Sequence, residues 1–272
     1  MPISQQLTDL IGVEDRLDAV NIALRYFARD MRPPVVGAYQ IACSDESESE
    51  WMGSFHREFV ESLLPELKFL NRSAFKTANL GARYEQGALA IAEEHYAGAV
   101  AEGGFKLMLV KVHSHCAMVE KDGAFVFGEM VRYGQESAFC GALHALLHGK
   151  DTGFTRALYK TFCRGGLDRL VMLQDPQQVH PDNRQLFAAI VNTLLQSERI
   201  LADVAAHEPE SDTVYVIAGS VTLNRSDHDT ELLCGVTVAD CRGGLTTERV
   251  GLGTDPSRYA VSAELGKLRV TG

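Results

Sequence analysis

The 272-residue sequence lacks a long apolar run, a basic patch and any close grouping of cysteines. No run reaches the roughly 20 apolar residues that a membrane-spanning helix needs, so we expect no membrane partner. The formal net charge of -10 argues against a nucleic-acid partner, because phosphate binding depends on clustered lysine and arginine. The first residues do not show the basic and then apolar pattern of a secretory signal, and we therefore expect a cytoplasmic protein.

The six cysteines are dispersed along the chain, at positions 43, 116, 140, 163, 234 and 241. A chain of this length with 46% hydrophobic residues can bury a core without disulfides. In a reducing compartment most of these thiols are expected to be free. Any special role of a cysteine must therefore follow from its placement.

Runs that predict strands alternate with segments of helical periodicity. We predict strands over residues 35–43, 74–77, 105–118, 124–131, 213–224 and 231–238, and helices over 4–30, 51–64, 84–101, 137–147 and 182–206. This alternation predicts an α/β fold in which helices cover both faces of a mainly parallel sheet. We divide the chain into an N-terminal helical segment (1–32), an α/β core (33–225) and a C-terminal strand or tail extension packed on that core (226–272).

Three residues at the ends of predicted elements are candidate metal ligands. Cys43 ends the first strand, His115 lies near the end of the strand over 105–118, and Cys140 lies near the start of a helix. Two thiolates and one imidazole suit zinc, and three protein ligands leave the fourth tetrahedral position open, as in catalytic sites. Taken singly, each of the two cysteines is more often a small buried hydrophobe than a ligand.

The alternation of side chains along the strand separates two neighbouring candidates. His113 and His115 share one face with Lys111, whereas Cys116 points the other way. We therefore do not expect Cys116 to share a ligand set with His115. A thiol hydrolase with a cysteine and histidine dyad stays open as an alternative, although no family-type signature surrounds either candidate thiol.

Four segments resemble the LCIB/LCIC proteins, a low-CO2-inducible branch of the β-type carbonic anhydrases. The segments are Cys43-Ser44-Asp45-Glu46, Phe75 to Gly81, His115 to Met118 and Gly134 to Leu143. Residues 216–221 add a weaker likeness to a late strand of that family. The matches occur in order and together cover roughly residues 35–224. The resemblance implies a β-carbonic-anhydrase-like fold.

The resemblance also implies a function and a set of ligands. Zinc would be bound by Cys43, His115 and Cys140, and a zinc-bound hydroxide would hydrate carbon dioxide reversibly to bicarbonate. The released proton needs a carrier near neutral pH, and His113 and His95 are the candidate proton shuttles. The resemblance further implies a homodimer with its sites near the subunit interface.

The sequence departs from the family pattern next to a predicted catalytic carboxylate, Asp45. An arginine usually pairs with this residue and holds it off the metal. Ser44 and Ser47 stand at the positions where that arginine is expected. We expect Arg83 to replace it, with Arg57 as the other candidate. The alternatives are an enzyme of low activity in which Asp45 binds zinc, and a catalytically weak zinc-binding relative acting in bicarbonate sensing or through protein partners.

Overall fold

The computed structural model describes a central sheet and the helices that pack on it. The described residues are 35–44, 74–95, 104–121, 124–128, 130–132, 135–137, 140–141, 143–144, 184–207, 211–224 and 229–251. The predicted helices over 4–30 and 51–64 lie outside these residues, as do Asp45 and Arg57. The predicted boundaries between the three segments stay predictions.

Nine strands and two helices have defined bounds within these residues. The strands are β1 (Val35–Cys43), β2 (Phe75–Asn79), β3 (Lys106–Lys121), β4 (Ala124–Phe127), β5 (Met130–Arg132), β6 (Gln135–Ser137), β7 (Thr213–Asn224), β8 (Asp229–Asp240) and β9 (Thr246–Gly251). The helices are α1 (Ala88–Glu94) and α2 (Arg184–His207). Neither of these helices is long and apolar enough to cross a membrane.

The main sheet has the order β2-β1-β3-β7-β8-β9, with β4 paired to the end of β3. Strands β2, β1, β3 and β7 are parallel, whereas β8 and β9 are antiparallel additions. Strands β5 and β6 form a separate antiparallel pair. The predicted α/β fold is confirmed, with a mixed sheet whose parallel strands carry the candidate ligands Cys43 and His115.

The central strands are buried on both faces, as their apolar and β-branched composition predicts. All twelve residues of β7 are buried. One face of the sheet packs against both α1 and α2 through a single hydrophobic cluster. Its members include Tyr39, Ile41, Leu89, Ala92, Val110, Val112, Ile200, Val204, Tyr215 and Ile217. The prediction that helices also cover the opposite face stays a prediction.

Three predicted elements differ clearly in their bounds from what the sequence indicated. The helix predicted from residue 84 starts at Ala88, because the amide of Tyr84 donates to the Gln196 side chain and Gly87 adopts a φ of 85°. The strand predicted over 124–131 is broken at Gly128, where φ is 89°, and continues as β5. Residues 135–137 form β6, so the helix predicted from 137 begins only at 141.

Candidate metal centre

The sequence-predicted ligands Cys43, His115 and Cys140 lie together in the fold. Their ligand atoms are all within 4.8 Å of one another, and they form the one such cluster of three among the residues the structure describes. All three side chains are buried, with exposed fractions of 2%, 0% and 1%. The structure therefore brings together residues that are far apart in the sequence.

The parallel register explains how two of the three residues meet. In β1 and β3 Ala42 pairs with His113, so Cys43 and His115 follow at the same carboxyl edge of the sheet. Ligand sites of open α/β sheets lie at this edge. Strand β3 continues along β7 as far as Ala117 after β1 ends, and this extension carries His115 beyond the end of β1.

Cys140 comes from the segment after β6 and has an uncommon backbone conformation. Its φ is 53°, in the left-handed region, which costs an L-residue roughly 1–2 kcal/mol. Residues 141, 143 and 144 are helical, and the carbonyl of Cys140 accepts a hydrogen bond from the amide of His144 at 3.0 Å. The thiol thus lies at a helix start, as predicted, where the helix dipole favours a thiolate. Strained residues of this kind cluster at functional sites.

A hydrogen bond fixes the orientation of the His115 ring. Its Nδ1 donates to Oδ1 of Asn224, at the end of β7, over 3.1 Å. The proton therefore sits on Nδ1, and Nε2, a buried atom that makes no hydrogen bond, keeps its lone pair. Metal-binding histidines show this arrangement, in which the second ring nitrogen donates to an oxygen of the protein.

The Cys43 sulfur also has a hydrogen-bond donor within the fold. The amide of Gly81 lies 3.3 Å from Sγ and points at it. Gly81 belongs to the turn after β2, and β2 pairs with β1 such that Asn79 stands beside Cys43. An amide that donates to sulfur stabilises the thiolate, which is the form that binds metal.

Cys116 behaves differently from the three clustered residues, as predicted. It is fully buried and its thiol donates to the carbonyl of Ala117. Burial raises the pKa of the Cys116 thiol to about 12, so at neutral pH this side chain is a neutral thiol. Cys116 is therefore a core residue, and we do not expect it to be a metal ligand.

The three clustered residues fit zinc by their chemistry and their spacing. Bonds of about 2.3 Å to sulfur and about 2.0 Å to nitrogen separate tetrahedral zinc ligands by roughly 3.5–3.8 Å, and the three ligand atoms here all lie within 4.8 Å of one another. Two thiolates and an imidazole are soft and borderline ligands of the kind that zinc prefers. Buried thiolates without a cation would also be costly, since burial penalises an uncompensated charge.

The two candidate proton shuttles lie in different surroundings. His113 is fully buried, its Nε2 accepts from the side-chain amide of Gln40 at 3.0 Å, and its Nδ1 faces the Thr222 hydroxyl at 3.5 Å. His95 follows α1, where its ring packs 4.8 Å from that of Phe75. Phe75 begins β2, roughly 13 Å along the strand from the end that adjoins Cys43. Their roles in proton transfer stay predictions.

Arg83, the predicted partner of Asp45, lies in the turn after β2. Its guanidinium forms an exposed ion pair with Glu85 at 3.0 Å, and its backbone carbonyl accepts from the Asn79 side chain. Because Asp45 lies outside the described residues, the predicted pairing stays a prediction.

Sequence reasoning missed the residues that support the ligands. Asn224, Gly81 and Asn192 were not among its candidates, although Gly81 belongs to one of the family-like segments. Asn224 is 109 residues from His115 and Asn192 is 111 residues from Gly81. No local pattern links residues so far apart. The only available signal was that Asn224 ends a predicted strand.

Comparison with known proteins supports the fold independently. No family model and no curated protein matches the sequence. Among solved structures, PtLCIB4, a homologue of the limiting CO2-inducible protein LCIB, is similar with a TM-score of 0.52 and 15% identity, over 83% of this chain and 92% of that chain. A mutant of PtLCIB4 gives the same score and identity, over 83% and 91%. The β-carbonic anhydrase CcaA is more distant, with a TM-score of 0.37 and 14% identity, over 84% and 86%.

The class that emerges is an α/β protein with a buried Cys-His-Cys group at the carboxyl edge of its parallel strands. Its particular fold is that of the LCIB homologues, which confirms at the level of the fold the resemblance found in the sequence. At 15% identity this likeness establishes the architecture and leaves the activity to be inferred from the site.

Proposed function

We propose that this protein is a zinc carbonic anhydrase that hydrates carbon dioxide reversibly to bicarbonate. The observation that carries the proposal is the convergence of Cys43, His115 and Cys140, buried in a fold shared with LCIB homologues. Within the described residues the cluster offers three ligands, which favours a catalytic over a structural role, because structural zinc sites use four protein ligands. Zinc in such a site supplies a nucleophile at neutral pH by lowering the pKa of bound water to about 7.

The protein's own residues would hold and orient the reacting groups. Gly81 stabilises the Cys43 thiolate, and Asn224 holds His115 with Nε2 directed at the metal. We propose that Asp45 orients the attacking water by accepting its hydrogen bond, and that Arg83 keeps this carboxylate away from the metal. The buried position of the three ligands excludes bulk water, which strengthens electrostatic interactions within the site.

A second function is favoured by the observed partner of Arg83. Its guanidinium pairs with Glu85, and neither Ser44 nor Ser47 can replace it as a cation beside Asp45. If Arg83 keeps this partner and Arg57 does not take its place, Asp45 could bind the metal and close the site. The protein would then be a catalytically weak zinc-binding relative that acts in bicarbonate sensing or through protein partners.

Metal analysis combined with stopped-flow measurement of CO2 hydration separates the two functions. A carbonic anhydrase contains stoichiometric zinc and accelerates hydration, and Cys43→Ala loses both properties. Cys116→Ala is the matched control, because this thiol lies next to His115 in sequence but outside the ligand cluster. Stoichiometric zinc without any rate enhancement would reject the enzyme and favour the weak relative. Unchanged metal content in Cys43→Ala would reject the zinc site and leave a thiol enzyme as the alternative.

We also propose that the protein is a cytoplasmic homodimer. The dimer is implied by the resemblance to the LCIB/LCIC proteins, and the location by the dispersed cysteines, which suit a reducing compartment. Sedimentation equilibrium of the purified protein tests the first proposal, and a monomer at micromolar concentration would contradict it. Subcellular fractionation tests the second.

A further inference from the structure

The turn that donates a hydrogen bond to Cys43 has a conformation that needs support. Gly81 and Ala82 have φ values of 74° and 54°, both in the left-handed region. This conformation costs an alanine roughly 1–2 kcal/mol. Because Ala82 is fully buried and still adopts it, contacts from elsewhere in the fold must hold the turn.

Helix α2 provides that support through a buried amide. The Asn192 side-chain nitrogen donates both to the Gly81 carbonyl, at 2.5 Å, and to the Ser114 hydroxyl, at 2.8 Å. Ser114 directly precedes the ligand His115 in β3. The amide of Asn192 thereby ties the turn after β2 to the strand that carries the second metal ligand.

The orientation of this amide is itself fixed by a neighbour on α2. The Gln196 side-chain nitrogen donates to Oδ1 of Asn192 at 3.0 Å, and its oxygen accepts from the amide of Tyr84 at 2.9 Å. Both side chains are fully buried. All four polar atoms of the two amides are thus used, which leaves Asn192 no alternative arrangement without a buried unsatisfied group.

We propose that Asn192 is a positioning residue for the metal centre. By holding the Gly81 carbonyl, it keeps the Gly81 amide directed at Sγ of Cys43, and this amide stabilises the metal-binding thiolate. The inference rests on the zinc site proposed above, because stabilising the Cys43 thiolate affects metal affinity only if this sulfur binds the metal. Asn192 touches neither the metal nor the substrate, so its effect is expected on metal affinity before any effect on turnover.

Competition with a chromophoric zinc chelator measures the affinity of each variant directly. Asn192→Leu keeps the volume of the side chain but removes both donated hydrogen bonds, and we expect zinc binding about tenfold weaker or more, the loss typical of supporting residues around a metal. Ser197→Ala is the matched control, since its buried hydroxyl on α2 donates only to the Thr193 carbonyl within the helix. We expect its zinc affinity to stay within about twofold of the unmodified protein.

Substitution of cobalt for zinc gives an absorption spectrum that a general loss of stability would leave unchanged. The thiolate-to-cobalt charge-transfer absorption reports on the sulfur ligands themselves, and we expect it to shift in Asn192→Leu and to stay unchanged in Ser197→Ala. If Asn192→Leu does not fold, Gln196→Met removes the bond that orients the Asn192 amide, together with the bond accepted from the Tyr84 amide, and leaves both donors of Asn192 in place. For that variant we expect zinc affinity reduced by about two- to fivefold, because the Asn192 amide itself loses one hydrogen bond.

These measurements distinguish a wrong positioning role for Asn192 from a wrong zinc site. Zinc binding by the unmodified protein together with equal affinities and equal cobalt spectra for Asn192→Leu and Ser197→Ala overturns the positioning role and leaves the zinc site standing. An unmodified protein that does not bind zinc overturns both.

Discussion

At the scale of single residues, Asn224 decides which nitrogen of His115 would be available to the proposed metal. Its oxygen accepts from Nδ1, so the lone pair remains on Nε2. Asn224→Ala removes the acceptor, lets the ring rotate and change tautomer, and should weaken zinc binding about tenfold. Asn224→Asp keeps the acceptor at the same place and should retain the affinity. Chelator competition measures both variants, and an equal loss in the two would show that Asn224 does not act through this hydrogen bond.

A second residue, Tyr39, should make the protein sensitive to alkali. Burial in the core raises the pKa of Tyr39 to about 12, although its hydrogen bond with Thr77 opposes this effect. The pKa of Tyr84 is raised as well, by burial and by donation of its hydroxyl to Asp203. Below pH 10 both phenols are neutral in the folded and the unfolded chain. Their contribution to stability is therefore complete there and is lost as the pH rises.

The loss of stability expected from ionisation of Tyr39 falls in a defined pH range. Between pH 10 and 12 the unfolded chain releases this proton and the folded chain keeps it. The free energy of unfolding then falls by about 1.4 kcal/mol per pH unit for one such group. Tyr39→Phe has no proton to release, so its stability should fall less steeply across this window. Urea unfolding at several pH values measures the slopes, and parallel curves for the two proteins would contradict the prediction.

At the scale of elements, the contact between α2 and β7 depends on the absence of a side chain. A Cβ on Gly219 would lie 2.9 Å from Cγ2 of Thr193 and 3.0 Å from the Ser197 hydroxyl, and both partners belong to α2. Gly219→Ala therefore forces the helix away from the sheet and should lower the free energy of unfolding by about 1–3 kcal/mol. Urea denaturation measures this loss.

A second substitution on α2 serves as the control for this clash. Thr193→Ser removes Cγ2 but keeps the hydroxyl, which donates to the Ser220 carbonyl. In the double variant the destabilisation by Gly219→Ala should be smaller than in the single variant, because the nearest atom is gone. Strictly additive effects of the two substitutions would show that the clash with Thr193 is not the cause.

The same elements show how far the sequence predicts the fold. Strands β1 and β7 are predicted to the residue and β3 to within three residues, because burial on both faces demands long runs of apolar and β-branched residues. The start of α1 is predicted four residues too early. Residues 84–86 have helix-compatible side chains, but Tyr84 is held by Gln196 and Asp203 from α2. This tertiary contact overrides the local preference of the segment.

Residues of the candidate site also differ in whether the sequence predicts them. Cys43, His115 and Cys140 are predicted because their residue types are rare and each stands near the end or the start of a predicted element. Asn192 and Asn224 are not predicted, because an asparagine in a helix or at a strand end is common, and its role depends on a partner about a hundred residues away. Metal ligands can thus be predicted from residue type and local sequence, whereas the residues that hold them in place can be identified only from the folded structure.

At the scale of the whole molecule, the proposed metal joins three separate parts of the chain. Cys43 belongs to β1, His115 to β3, and Cys140 to the segment that follows β6. The backbone of Cys140 is strained, and no main-sheet strand carries this residue. Zinc should therefore stabilise the folded chain, since a ligand that binds only the folded state adds to its stability.

Chelation of the metal should lower the melting temperature, and the loss should depend on Cys140. At free zinc concentrations a hundredfold above the dissociation constant, binding contributes about 2.7 kcal/mol to the free energy of unfolding. Cys140→Ser removes one ligand and should melt at nearly the same temperature with and without zinc. Cys116→Ala removes a buried thiol outside the cluster, so it should melt lower than the unmodified protein but keep the full zinc-dependent increment. Differential scanning calorimetry of the three proteins measures these differences, and an equal increment in Cys140→Ser and Cys116→Ala would place the metal somewhere other than this cluster.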